Sequence, residues 1–365
     1  MTTVLVAPDK FKGSLSAAEV ASAIAAGLTD VRPDVEVRTL PVADGGDGTV
    51  DAAVAAGFRR VRAPARGPTG LPITACYAAR GDTAVVELAE ASGLHRLPGA
   101  PAPLTATSAG TGDLIAAAVR SGCRRVVLGV GGSACTDGGA GLLTALGARL
   151  LDLRGQPLPP GGGALSYLAR LDLSGMDVAL KAVEFELASD VDNPLCGPRG
   201  AAHVYGPQKG ASDDEVEVLD DALRHWAALA GPEYADRPGA GAAGGVGFAA
   251  MAVLGAHMRP GISLLMDLLG FSDALSGASL VITGEGSLDA QTLSGKAPAG
   301  VARAARGIPV VAVAGRCELS EVDLQGAGIR AAYALMDLEP DPTRCMSDAW
   351  PLLRRLAHRV AIDHL

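Results

Sequence analysis

The sequence predicts an α/β protein in which a doubly wound parallel-sheet domain, built from both chain ends, carries a second α/β domain inserted in its middle. Three observations lead there. Short β-branched runs alternate with Ala-rich stretches of helical character, the pattern of parallel sheets with crossover helices. The strand-like runs near both ends share that pattern, whereas the middle reads as a hairpin followed by loop-rich segments. At 365 residues the chain is long enough for two cores. The reading assigns 1–65 and 270–365 to the outer domain and 66–269 to the insertion.

The elements follow in chain order. Thr3–Ala7 predicts a first strand and Ser16–Leu28 the helix after it, with Ser16 as N-cap and Glu19 at capping-box spacing. Val35–Leu40 predicts a second strand, followed by a Gly-Asp loop and a helix from about Thr49. Ile73–Ala78 and Ala84–Leu88 flank the turn Arg80-Gly81-Asp82 as a hairpin. A helix over Gly112–Ser121, a buried strand at Arg125–Val130 and another at Val183–Ala188 come next. Leu280–Thr283, Val310–Ala314 and Arg330–Leu335 complete the strands, with a helix at Pro298–Arg306 between the first two. Pro64–Pro72 and Gly239–Gly247 read as joints between domains.

Composition narrows the function classes. The chain is 48% hydrophobic and 19% charged, which places it among folded globular proteins. A net charge of −9 with no basic, aromatic-interleaved run argues against a nucleic-acid surface. Cys76, Cys123, Cys135, Cys196, Cys317 and Cys345 form no C-x-x-C pair, as expected of reduced thiols. The N-terminus lacks a signal-peptide layout, and no run of about 18 apolar residues is present, so a cytoplasmic protein without membrane contact is expected. Glycine supplies 48 residues, many clustered with Asp, Ser, Thr or Lys, as in backbone-lined anion sites.

The lysines point to the chemistry. Only five of the 31 basic residues are lysine, and four of those sit in or beside glycine-bearing motifs: Lys10, Lys12, Lys209 and Lys296. A compact ammonium on a flexible stem suits a transferring phosphoryl group or a carboxylate. Asp9-Lys10-Phe-Lys12-Gly-Ser14 leaves the first strand, where open α/β sheets bind ligands. Asp44-Gly-Gly-Asp47-Gly-Thr49 leaves the second; its acids suit Mg²⁺ or substrate hydroxyls, though an Asp-Gly turn capping a helix also explains it. Gly129-Val-Gly131-Gly132-Ser133-Ala-Cys135-Thr-Asp137 follows a buried strand and offers successive N–H groups to a polyphosphate, with Cys135 read as a packed residue. It also matches a loose dinucleotide fingerprint, for which Asp152 would be the ribose acid. Asp190, Asp192 and Asn193 supply oxygen ligands before Pro194, or an Asx turn. Gly284-Glu285-Gly286-Ser287-Leu-Asp289 runs on to Ser294-Gly-Lys296 just before a helix N-terminus, where anions are favoured.

The absences discriminate as well. There is no Walker G-x-x-x-x-G-K-[ST], no H-R-D or D-F-G, no G-x-S-x-G and no H-E-x-x-H. Proton transfer then falls to Asp or Glu.

Taken in order, Pro-Asp9-Lys-Phe-Lys-Gly-Ser-Leu, Ala-Asp44-Gly-Gly-Asp-Gly-Thr, Thr111-Gly-Asp-Leu-Ile, Gly131-Gly-Ser-Ala-Cys-Thr-Asp-Gly-Gly, Asp190-Val-Asp-Asn-Pro-Leu, Gly206-Pro-Gln-Lys-Gly-Ala and Ile282-Thr-Gly-Glu-Gly-Ser-Leu-Asp resemble the type-1 glycerate kinases. The resemblance runs from Val4 to about Gly315 and departs from the family's usual pattern at Lys10, Thr136 and Ser287. It implies a Rossmann-like domain from both chain ends, an inserted α/β domain, and a site in the cleft between them. It also implies ATP- and Mg²⁺-dependent phosphorylation of D-glycerate, typically to 2-phosphoglycerate. Under that reaction the acceptor would be held by Lys12 with Asp9, Lys10, Ser14, Asp44, Asp47 and Thr111. Asp190 would take the hydroxyl proton, and Lys209 and Lys296 would neutralise charge on the transferred group. The nucleotide would meet Gly131, Gly132, Ser133, Asp137, Gly284, Glu285 and Gly286, with Asp192 and Asp289 at the metal. A kinase of a related hydroxy acid, an NAD(P)-dependent dehydrogenase using the Gly129 loop and a non-catalytic glycerate sensor stay open. So does the choice between monomer and homodimer.

Overall fold

The computed structural model describes residues 2–293 and 295–365. Its strands, in chain order, are β1 (Thr3–Pro8), β2 (Glu36–Thr39), β3 (Arg59–Arg66), β4 (Pro72–Arg80), β5 (Thr83–Glu87), β6 (Arg125–Gly129), β7 (Arg149–Leu151), β8 (Arg170–Asp172), β9 (Glu184–Ala188), β10 (His257–Arg259), β11 (Leu280–Leu288), β12 (Val310–Cys317) and β13 (Ala331–Ala334). They fall into two compact units. One contains Met1–Asp44, Asp51–Gly57 and Pro260–Leu365; the other contains Gly45–Val50 and Phe58–Arg259. No helix among the described residues is long and apolar enough to cross a membrane.

The first unit is a five-stranded parallel sheet in the order β13-β12-β11-β1-β2. The chain leaves β1 toward β2, while β11 leads the other way through β12 to β13. The direction of winding therefore reverses between β1 and β11, the crevice where open sheets hold ligands. Ser16 caps the helix Ala17–Val31 in a reciprocal capping box with Glu19, as its spacing predicts. That helix buries Val20, Ile24 and Leu28 with Leu353, Leu356 and Val360 of the helix Ala349–His364. Gly27 permits the approach, because a Cβ there would stand 2.2 Å from the Arg354 carbonyl oxygen.

The second unit holds a six-stranded sheet, β10-β9-β6-β5-β4-β3, and the separate β7–β8 hairpin. From β5 to β10 the pairs are parallel; β3, β4 and β5 are antiparallel. Its core runs from Val86, Leu114 and Leu128 to Trp226 and Phe248.

Two expected joints are not joints. Pro64–Pro72 is the end of β3 and its turn into β4, closed by the Gly67 N–H donating to the Leu71 carbonyl at 2.7 Å. β3 is an edge strand, where Pro64 costs the sheet no ladder bond, so it belongs to the second unit along its whole length. The chain passes between the units at Gly45, Asp51, Phe58 and Pro260. Gly239–Gly247 is packed inside the second unit: Cβ atoms on Gly244 and Gly245 would meet the Cys135 carbonyl at 2.1 Å and Gly138 Cα at 2.7 Å. These glycines are there for close approach to the 135–138 turn.

Candidate active site

In the first unit several of the candidate residues gather where β1 and β11 meet. The Asp9 N–H donates to the Gly284 carbonyl at 2.8 Å, and its carboxylate accepts the Lys10 N–H at 2.6 Å. Burial pushes the Asp9 carboxyl up to about 7; Asp44 adds to the effect, Lys10 opposes it, and Glu285 adds further. β11 does not stop at Thr283 as the sequence predicts but continues to Leu288, carrying Glu285 and Ser287 on the strand. Burial raises the Glu285 carboxyl, against a 2.5 Å hydrogen bond from Thr292 Oγ1 and the nearby Lys296 ammonium. Lys296 is the N-cap residue of the helix Ala297–Ala304. Asp289 accepts the Gln291 N–H at 2.8 Å, holding the turn into that segment; Ser294 lies outside the described residues. Lys12 is exposed, and Ser14 Oγ donates to the Phe11 carbonyl at 3.4 Å. Gly284 packs against β12, where a Cβ would stand 2.3 Å from the Val313 carbonyl, while Gly286 faces the Phe11–Lys12 backbone with ordinary clearance.

In the second unit the two glycine motifs, separate in sequence, are one structure. Residues 45–49 lie across the carboxyl ends of β6 and β9. The Gly131 N–H donates to the Gly45 carbonyl at 3.1 Å. A Cβ on Gly129 would stand 2.7 Å from the Gly45 carbonyl oxygen, and one on Gly131 only 2.4 Å from Gly46 Cα. One on Gly132, at φ +70°, would stand 2.2 Å from Asp47 Oδ1, and one on Gly45 would stand 2.7 Å from the Ala188 carbonyl oxygen. The sides of Gly131 and Gly132 on which a Cβ would stand thus face Gly46 and Asp47. Asp152 caps a turn beside β7 by accepting the Arg154 and Gln156 N–H groups at 2.8 Å.

The remaining residues of this loop organise it. Asp137 is fully buried and accepts from the Ser108 N–H (2.8 Å), Ser108 Oγ (2.9 Å), Gly139 N–H (3.1 Å) and Gly141 N–H (3.2 Å). Its carboxylate holds the loop together. Lys209 is 2% exposed, with Nζ donating to Ser133 Oγ at 2.8 Å and to the Cys135 carbonyl at 2.5 Å. Burial lowers the Lys209 pKa, with Asp137 among the groups opposing it. Ser133 is correspondingly buried. Thr111 is buried too and donates to Ser92 Oγ at 3.0 Å. Cys135 is buried, and burial pushes its thiol far up, so it is the packed residue the sequence predicts and no nucleophile. Asp190 and Asp192 are exposed, whereas Asn193 is tied down by Tyr205 Oη at 2.7 Å and by its own bond to the Arg199 carbonyl at 2.8 Å.

Sequence reasoning misses Glu87. This residue ends β5 at 4% exposure and accepts the Gly48 N–H at 3.1 Å and the Val50 N–H at 3.0 Å. Burial pushes its carboxyl up to about 7, against the pull of the Val50 amide. The available signal was an acid closing an otherwise apolar strand, Thr-Ala-Val-Val-Glu. Ser108 carries no comparable sequence signal, whereas Thr292 lies within the motif that runs from Gly284 to Lys296.

Among the described residues no three His, Cys, Asp or Glu side chains gather as a metal-holding group. Asp289 lies in the first unit and Asp192 in the second. Mg²⁺ carried in on ATP asks for only one or two protein carboxylates beside the phosphates themselves.

The comparisons with known proteins agree with this chemistry. A glycerate kinase family model matches residues 4–364. The chain is 47% identical over 343 residues to the glycerate kinase of Bacillus subtilis, covering 91% of this chain and 90% of that protein. It is 43% identical over 344 residues to the glycerate 2-kinase of Escherichia coli, with the same coverage of 91% and 90%. A solved structure assigned as glycerate kinase 2 of Salmonella typhimurium LT2 superposes with a TM-score of 0.86 at 42% identity, covering 99% of this chain and 98% of that one. The chain belongs to the glycerate kinase family.

Proposed function

We propose that this protein transfers the γ-phosphoryl group of ATP to D-glycerate and releases 2-phosphoglycerate. One observation carries the reading beyond family membership: the crevice between β1 and β11 gathers Asp9, Asp44, Glu285, Thr292 and Lys296, carboxylates and a cation on the backbone of a topological switch point. The 2-position of the product is supported by the name of the Escherichia coli relative, a glycerate 2-kinase.

Phosphoryl transfer asks a protein mainly to position the reactants and to neutralise developing charge. Lys12, with Lys10, Ser14 and the acids of the Asp44–Asp47 turn, would receive the acceptor's carboxylate and hydroxyls. Lys296, at a helix N-terminus, would face the transferred group. Asp190 would take the proton of the attacking hydroxyl, and Asp192 or Asp289 would reach the Mg²⁺ that arrives with ATP. Lys209 would serve at one remove, through the loop it holds at Ser133 and Cys135.

A second reading of the base is favoured by one observation. Asp9 is held at about 7, where a carboxylate exchanges protons most effectively near neutrality. The experiment is a coupled ADP-release assay with D-glycerate, ATP and Mg²⁺, with phosphorus NMR of the product, on wild type, Asp190→Asn and Asp9→Asn. Turnover of wild type and its loss in Asp190→Asn supports the first reading. Near-full turnover in Asp190→Asn moves the base to Asp9. A wild type that binds ATP without turning over D-glycerate sinks the function.

A further inference from the structure

The Asp44–Thr49 turn is built to tighter tolerance than a helix start requires. Each Glu87 oxygen takes one N–H, Gly48 on one side of Thr49 and Val50 on the other, so the grip fixes the turn's orientation as well as its place. Thr49 Oγ1 closes the turn internally on the Gly46 carbonyl at 2.7 Å. The opposite face is the glycine contact with residues 129–132, which leaves no room for a shift toward β6. The helix that follows, Thr49–Ala55, is short, and a neutral Ser or Asn would cap it without burying a carboxylate beside Asp47 and Glu90. What the arrangement does define is where Asp47 sits, with Oδ1 over Gly132.

We propose that Glu87 is a positioning residue for the acceptor acid: by gripping Gly48 and Val50 it holds the turn that presents Asp44 and Asp47. The inference rests on the glycerate kinase reading and assigns the turn to the acceptor rather than to ATP. Replacing Glu87 by Gln turns one acceptor into a donor that faces an N–H, so one of the two grips is lost while the volume is kept.

The test compares Glu87→Gln, Glu87→Asp and Val86→Ala, the last a cavity in the core of the same strand that leaves the carboxylate and its two bonds in place. In Glu87→Gln, kcat/KM for D-glycerate should fall about ten- to hundredfold, as misplacement of a bound group by about 1 Å does, with KM for ATP within about threefold of wild type. Glu87→Asp, which keeps the carboxylate, should recover part of that loss. Val86→Ala should melt earlier with unchanged constants for both substrates. Hydrogen exchange of the peptide covering residues 45–50 should quicken in Glu87→Gln and not in Val86→Ala. If Glu87→Gln keeps the wild-type KM for both substrates, or behaves as Val86→Ala does, Glu87 is only a structural cap and the proposal is wrong. A wild type without glycerate turnover would refute the function, yet the exchange rates would still decide whether Glu87 holds the turn.

Discussion

Replacing Gly131 with Ala separates two explanations of the glycine-rich loop. If its glycines exist so that a phosphate can approach the backbone, Ala should leave stability alone and raise KM for ATP. The structure places the missing side chain elsewhere: a Cβ on Gly131 would stand 2.4 Å from Gly46 Cα, where carbon atoms normally rest about 3.5–4.0 Å apart. The two backbones would have to part by more than about 1 Å, an overpacking that costs about 1–3 kcal/mol. The hydrogen bond from the Gly131 N–H to the Gly45 carbonyl, worth about 1 kcal/mol, would be strained with it. Together these predict a loss of about 2–4 kcal/mol, or on the order of 5–10 °C in the melting temperature. Gly131 has no positive φ, so none of the loss comes from backbone conformation. Gly326→Ala is the control, since its Cβ meets nothing and the site is helical, where Ala is favoured over Gly by up to about 1 kcal/mol. Thermal denaturation of both variants, with ATP titrated into the kinase assay, gives the answer. A Gly131→Ala protein that melts with wild type while its KM for ATP climbs would refute the interlock.

Two further outcomes follow from buried charge. Because Asp9 is raised to about 7 in the folded state, the fold holds an extra proton above the ordinary carboxylate range. Its contribution is therefore fully present at low pH and is lost as pH rises through about 7. Between pH 5 and 8 wild type should lose on the order of 2–3 kcal/mol through Asp9, and Asp9→Asn should be flatter by that amount in urea titrations. Equal slopes would show that Asp9 is not a buried acid of this kind. Lys209→Met keeps most of the volume and removes two buried hydrogen bonds, so stability should fall by about 1–3 kcal/mol while kcat stays within about tenfold of wild type. A far larger fall in kcat with an unchanged melt would put the ammonium on the transferred phosphoryl group instead.

What was legible in the sequence was whatever depends on neighbours in the chain. The capping box of Ser16 and Glu19 spans three positions, and the strands running into Asp9 and the Asp44 turn announce themselves by β-branched runs ending in Gly and Asp. β3 was hidden because alternating arginines and Pro64 resemble a linker, and only its position at the edge of the sheet makes them acceptable. The interlock of Gly45–Asp47 with Gly129–Gly132 was hidden for a different reason. Glycine in a loop signals that something comes close, but not whether that something is a ligand or another part of the chain. Asp137, read for the nucleotide, and Lys209, read for the transferred group, both hold the loop in the structure, a use that their spacing does not reveal. Glu87 was hidden by its neighbours, since an acid at the end of an apolar run reads as the point where the strand surfaces.

The place of β1 inside its sheet has a consequence for how the molecule is made. Its partner β11 is far away along the chain: the hydrogen bond from Ser279 Oγ to the Thr3 carbonyl spans 276 positions. At about 5–20 residues per second, a ribosome would need roughly 15–60 s to deliver that partner. During that interval Val4, Val6, Ile24 and Leu28 have no finished core to enter, because the helix Ala349–His364 that shares their core emerges later still. The second unit, contained in an earlier stretch of chain, can fold first. A premature stop before Ala349 would therefore leave β1 and the helix Ala17–Val31 without their lid, exposed to chaperones and proteases, although every residue before it had been read correctly.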